Sequence, residues 1–121
     1  MGVVIVISVP AVYLLHGKGG SPSGTVAKLQ ERLQQDWPEL KFVRPALPHG
    51  DPAVPAEVSV EFLRKLPLET GSLMIGVSLG GLVAAKLQED SRPDLHVICI
   101  SSPTPTVSRV TKGSCSRMPL R

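Results

Sequence analysis

The run Leu73-Met74-Ile75-Gly76-Val77-Ser78-Leu79-Gly80-Gly81-Leu82-Val83-Ala84-Ala85 begins as a strand and continues as a helix, with a serine where the two meet. Gly76 and Gly80 stand two residues either side of Ser78, the spacing G-x-S-x-G. That spacing has a mechanical basis. A serine at the tip of a tight strand-to-helix turn is held in a strained backbone conformation, and the flanking glycines let strand and helix approach closely. Such a turn lifts the hydroxyl above the sheet edge, beside a helix N-terminus whose N–H groups face a developing negative charge. The five-residue pattern is weak in isolation. Its setting, with Leu73-Met74-Ile75 before it and Leu82-Val83-Ala84-Ala85 after it, is the one the pattern requires. The bland alternative is an ordinary glycine-rich strand–helix turn.

Outward from this turn, short β-branched runs alternate with longer helical patterns. Strands are expected at Ala11–Leu15, Leu40–Val43, Ser72–Gly76 and Leu95–Ile100, with a further strand-like run at Val3–Val9. Pro10 separates the two N-terminal runs and forbids one continuous central strand. Thr25–Gln35 reads as a helix capped by Ser23 or Gly24, because Val26, Leu29 and Leu33 make one apolar face. Ala56–Leu66 reads as a second helix through Val60 and Leu63, closed by Pro67 and Gly71, and Leu79–Glu89 as a third. Pro45–Pro55 holds four prolines together with Gly50 and Asp51, and reads as a surface loop. The order from Ala11 is therefore β-α-β-α-β-α-β. Apolar strands joined by helices indicate a mainly parallel sheet covered on both faces, a three-layer α/β/α fold.

A second motif, Leu14-Leu15-His16-Gly17-Lys18-Gly19-Gly20, ends an earlier strand. As a phosphate loop it fails. Val12 occupies the position of the first Walker glycine, and Gly19 follows Lys18 where Ser or Thr is needed. The dinucleotide pattern fails as well, since Pro22 stands where its third glycine belongs. With the two motifs in this order, residues 11–103 resemble the α/β-hydrolase family, whose members carry His-Gly after the third strand and a nucleophile elbow after the fifth. The chain looks most similar to the small single-domain serine esterases of that family. The resemblance implies Ser78 as catalytic nucleophile, and backbone N–H groups of Leu79 and Lys18 as the oxyanion hole. It also implies Gly17, Gly19, Gly76 and Gly80 as glycines shaping the site, and His16 as a structural anchor of its loop. The implied substrate is a small acyl ester or thioester, taken through an acyl-enzyme, with no cofactor and no metal.

A serine hydroxyl needs a base, and the base an orienting carboxylate. In the family the chain order is Ser, acid, His. After Ser78 come Glu89, Asp90, Asp94 and His96, all expected at the far side of the sheet, and His49 precedes it in the proline-rich loop. None of these suits a triad. From about Thr104 the strand and helix periodicity stops. The expectation is a partial hydrolase domain over 1–103, cut short after the family's sixth strand by truncation, frameshift or mis-annotation. A basic Ser/Thr/Pro-containing tail over 104–121 would then be disordered or non-native. On that expectation this chain is inactive or weak. The second function class is a non-catalytic domain of the same fold that binds a small molecule or a protein. A nucleotide-binding domain is the third, demoted by the failed glycine motifs.

Composition narrows the partners. The net charge of +3 divides into nine Lys/Arg against ten Asp/Glu over residues 1–100, and four basic residues without an acid over 101–121. No basic face is evident in the folded part, so neither nucleic acid nor membrane is expected as a partner. The apolar run Val3–Leu15 lacks a basic n-region and is too short to cross a bilayer. It reads as buried strand, with an export-signal remnant as the alternative. Cys99 lies in an apolar run and reads as a buried thiol, while Cys115 lies in the polar tail. Two cysteines without a framework or metal spacing suit a reducing cytoplasm.

Overall fold

The computed structural model describes residues 9–101 and 106–109. The Val3–Val9 run therefore falls almost wholly outside the described residues, as does most of the 104–121 tail. Strand β1 (Val12–Leu15) leads into helix α1 (Thr25–Asp36), and a two-residue strand β2 (Phe42–Val43) follows. A single 3₁₀ turn (Pro48–Gly50) and helix α2 (Ala56–Arg64) precede β3 (Leu73–Val77), α3 (Leu79–Asp90) and β4 (His96–Ser101). The three helices and four strands expected over residues 11–101 are all present, with ends displaced by a residue or two.

Four of the strands run parallel in the order β2-β1-β3-β4. A fifth, β5 (Thr106–Arg109), pairs antiparallel with β4 in the register Ile98↔Arg109 to Ser101↔Thr106. The segment carries no periodicity of its own. Pairing with a formed edge is what makes it a strand.

Both faces of the sheet are apolar because the strands alternate with period two between two hydrophobic layers. Val12, Leu14 and Ile75 point to one side, where α1 contributes Val26, Leu29 and Leu33. Tyr13, Leu15, Met74, Val97 and Cys99 point to the other, against Val60 and Leu63 of α2 and Val83 and Leu87 of α3. The placement of the helices follows from strand order. Moving from β1 to β2 runs in one direction across the sheet, whereas β2 to β3 and β3 to β4 run in the other. Right-handed crossovers therefore put α1 on one face and α2 with α3 on the opposite face. The result is the three-layer α/β/α arrangement with a mainly parallel sheet. Leu14, Leu15, Leu63, Met74 and Leu87 are all fully buried. Truncating any of them to alanine removes about 2–5 kcal/mol of packing. Cys99 is buried, as its apolar setting suggests.

The reversal of direction occurs between β1 and β3, which are neighbours in the sheet although they are not consecutive in the chain. The chain leaves these two strands towards opposite faces, opening a crevice beyond their carboxyl ends. Open parallel sheets bind ligands at such a point. The His16–Gly20 loop follows β1 and Ser78 follows β3, so both motifs sit at this crevice.

Candidate active site

Ser78 has φ 54° and ψ −120°, and it is the one non-glycine residue with positive φ among those described. Such a conformation costs of order 1–3 kcal/mol and persists only where the surroundings impose it. Those surroundings can be named. The Ser78 N–H is bonded to the Ile100 carbonyl of β4 at 2.8 Å, and the Ser78 carbonyl accepts the Gly81 N–H at 2.9 Å. A Cβ on Gly76 would lie 2.3 Å from the Gly81 nitrogen, and one on Gly80 would lie 2.4 Å from the Leu15 carbonyl oxygen. Helix α3 thus rests directly on the ends of β1 and β3, and any side chain at those two positions would hold it away. The serine itself is exposed while Gly76 and Gly80 beside it are buried.

Facing it is a cavity of about 250 Å³ lined by His16, Gly17, Lys18 and Gly20 of the glycine loop and by Ser21, Thr25, Val77 and Ser78. Gly17 comes so close to the turn that a Cβ there would stand 3.2 Å from the Val77 oxygen and 3.4 Å from Ser78 Cβ. Gly19 adopts φ 73°, a conformation open to glycine at no steric cost. Among the described residues neither the Lys18 nor the Leu79 N–H has a backbone carbonyl partner. The structure therefore brings Ser78, Lys18 and Gly17 to one cavity, and sets Gly76 and Gly80 beneath the serine as close-contact positions.

The histidine beside the serine is not available as a base. His16 is buried, its Nε2 accepts the Leu47 N–H at 2.9 Å, and its Nδ1 donates to the Gly17 carbonyl at 3.0 Å. His96 begins β4 opposite Leu73, five strand positions or about 16 Å back from Ser78 along the sheet. Asp94 is bound to Arg92 and the Gly71 N–H at that same far edge, and the Arg92 guanidinium holds its carboxyl down at about 2. Asp90, at the far end of α3, pairs with Arg64 and Lys86. The acids and the imidazole that follow Ser78 in the described chain are thus all distant from it.

Two features escape a reading of the sequence. Pro45–Pro55 looks like a surface loop, yet His49 within it is completely buried. Its Nδ1 lies 2.7 Å from Ser59 Oγ and its Nε2 2.8 Å from the His16 carbonyl. Burial pushes the His49 imidazole below its ordinary value, so it is held neutral. Ser59 shares the buried face of α2 with Val60 and Leu63. A hydroxyl on an otherwise apolar helix face was the one available signal that it meets a polar partner inside. The second feature is Arg44, which donates to Gln30 Oε1 at 2.7 Å and to the Pro22 carbonyl, tying the segment after the glycine loop to α1.

Among the described residues there is no group of three or more His, Cys, Asp or Glu that could hold a metal ion, and no helix is long and apolar enough to cross a membrane. Fold and site together define a class: a three-layer α/β/α domain with a strained serine turn at the switch point of a parallel sheet. Residues 11–100 match the model of the Uncharacterised protein family (UPF0227), and the chain belongs to that family. No curated protein and no solved structure matches it.

Proposed function

We propose that this chain is a serine hydrolase domain of the carboxylesterase or thioesterase type, related to the α/β-hydrolases, with Ser78 as nucleophile. The observation that carries the reading is the positive φ of Ser78 at the end of β3, facing the Gly17–Lys18 loop across a shared cavity. Strain of this kind at an exposed serine has no packing purpose, and it is a recurrent device for presenting a nucleophile. Ser78 Oγ attacks the carbonyl carbon of a small ester or thioester. The carbonyl oxygen takes up negative charge towards the Lys18 and Leu79 N–H groups. The alcohol or thiol departs with a proton, and water then releases the acid from the serine. The serine proton must pass to a base that the described residues do not provide, so acylation by these residues alone is slow. Oxyanion stabilisation and binding without a complete triad still give measurable turnover over water.

The experiment is covalent labelling by a fluorophosphonate probe, located by mass spectrometry. Slow labelling on Ser78 that disappears in Ser78→Ala is the expected result. A folded protein that takes up no label, or a label that survives in Ser78→Ala, refutes the proposal. The commitment of both His16 nitrogens favours a second reading, a non-catalytic domain that binds a small molecule or a protein in the same crevice. An unlabelled, cooperatively folded protein would favour that reading.

A further inference from the structure

We infer that His49, locked by Ser59, is the positioning residue that sets the loop carrying the Lys18 N–H. This inference rests on the proposed reading of Ser78 and deepens it. One residue makes two hydrogen bonds to this loop. The His49 side chain donates from Nε2 to the His16 carbonyl at 2.8 Å, and the His49 backbone carbonyl accepts the Gly19 N–H at 3.2 Å. Only Gly17 and Lys18 lie between those two anchor points. The peptide that would face a substrate oxygen is thereby bracketed by one buried side chain and its own backbone.

The His16 carbonyl decides which proton His49 carries, and Ser59 accommodates the result. A carbonyl can only accept, so the Nε2 facing the His16 oxygen bears the hydrogen, and Nδ1 is left as an acceptor. Ser59 Oγ donates to that Nδ1 at 2.7 Å and accepts the His49 N–H at 3.1 Å. Both residues are fully buried, so no water competes for these bonds. The turn is locked to the loop at two further points. His16 Nε2 takes the Leu47 N–H, and Gly50 approaches so closely that a Cβ would stand 2.9 Å from the Gly20 oxygen. His49 touches no substrate in this arrangement. It acts through the His16 carbonyl, and Ser59 acts through His49.

Three variants test this: His49→Leu, which removes both ring contacts; His49→Gln, whose amide N–H can still reach the His16 carbonyl; and Ser59→Ala, which removes the partner of Nδ1 and of the His49 N–H. Two quantities are read on folded protein at one temperature: the rate of fluorophosphonate labelling at Ser78, and the amide resonances of Lys18 and Gly19 with the hydrogen exchange of the latter. His49→Leu should slow labelling about tenfold or more, since a misplaced oxyanion donor loses most of its effect. It should also shift the Lys18 amide and speed Gly19 exchange. Ser59→Ala should do the same to a smaller extent, and His49→Gln should recover most of the wild-type rate. A purely structural role would lower the melting temperature of all three while leaving the labelling rate and the Lys18 amide of the folded protein unchanged. That pattern overturns the inference. Should wild-type protein take no label, the serine reading fails by itself, and the amide measurements decide the positioning role separately. A Lys18 amide and a Gly19 exchange rate indifferent to His49→Leu would then refute it.

Discussion

At Ser78 the backbone is held where a side-chain-bearing residue is seldom found, and the neighbouring glycines explain how. Helix α3 can follow β3 without a spacer only because Gly76 and Gly80 present no Cβ to the Gly81 nitrogen and the Leu15 carbonyl. Gly80→Ala would place a methyl group 2.4 Å from backbone that belongs to a central strand and cannot give way. The expected outcome is a loss of about 2–3 kcal/mol or more in chemical denaturation, together with lost Ser78 labelling as the turn is pushed open. A variant as stable as wild type would show that α3 is free to move. The serine and its glycines were legible in the sequence, because a turn this tight imposes residue types at fixed spacing. The partners of those glycines were not. The atom that a Cβ at residue 80 would strike belongs to residue 15, far away in the chain.

At the scale of elements, α1, α2 and α3 announce themselves through their apolar spacing, and the strands through short apolar runs between turn signals. The 3₁₀ turn Pro48–Gly50 does not. Proline and glycine mark a change of chain direction without showing whether the turn lies on the surface or inside. Here the turn docks against α2 and the glycine loop, burying His49. Burial holds that imidazole neutral, below its ordinary value of 6.5. The unfolded chain thus takes up a proton at a pH where the folded chain does not, and stability rises with pH across that window. The contribution is complete above about pH 6.5 and is lost progressively as pH falls towards the lowered folded value. Melting temperatures followed from about pH 7.5 to 5.5 should therefore fall more steeply for wild type than for His49→Gln. Parallel curves would mean that the buried imidazole gains its proton without strain. Asp94, held at about 2 mainly by Arg92, adds stability that is complete above its ordinary 3.8 and is lost as pH falls towards 2.

For the molecule as a whole, the decisive property is strand order. The sequence supplies a β-α alternation, which fits many arrangements of the same strands. Only the order β2-β1-β3-β4 brings the loop after β1 beside the turn after β3 and opens a crevice between them. The same scale governs the sheet edge. A bare β4 would present six residues of unpaired backbone, a template for association with another copy. In the structure β5 pairs along that edge. A chain shortened to end at residue 105 should therefore self-associate by light scattering at concentrations where the full chain does not. Equal scattering from both would show that β5 contributes nothing to protecting the edge.

Local pieces were legible in neighbouring residues: the three helices and the four parallel strands, a serine in a tight turn, and the failure of the phosphate-loop pattern. Each of these is written in neighbouring residues, because propensity, periodicity and turn sterics act over a few positions. Tertiary structure alone decided that His16 has no free nitrogen, that a proline-rich loop hides a neutral histidine, and that His96 lies at the wrong end of the sheet. Those outcomes depend on hydrogen bonds and burial between segments tens of residues apart, and pairings of that kind arise only when the chain packs.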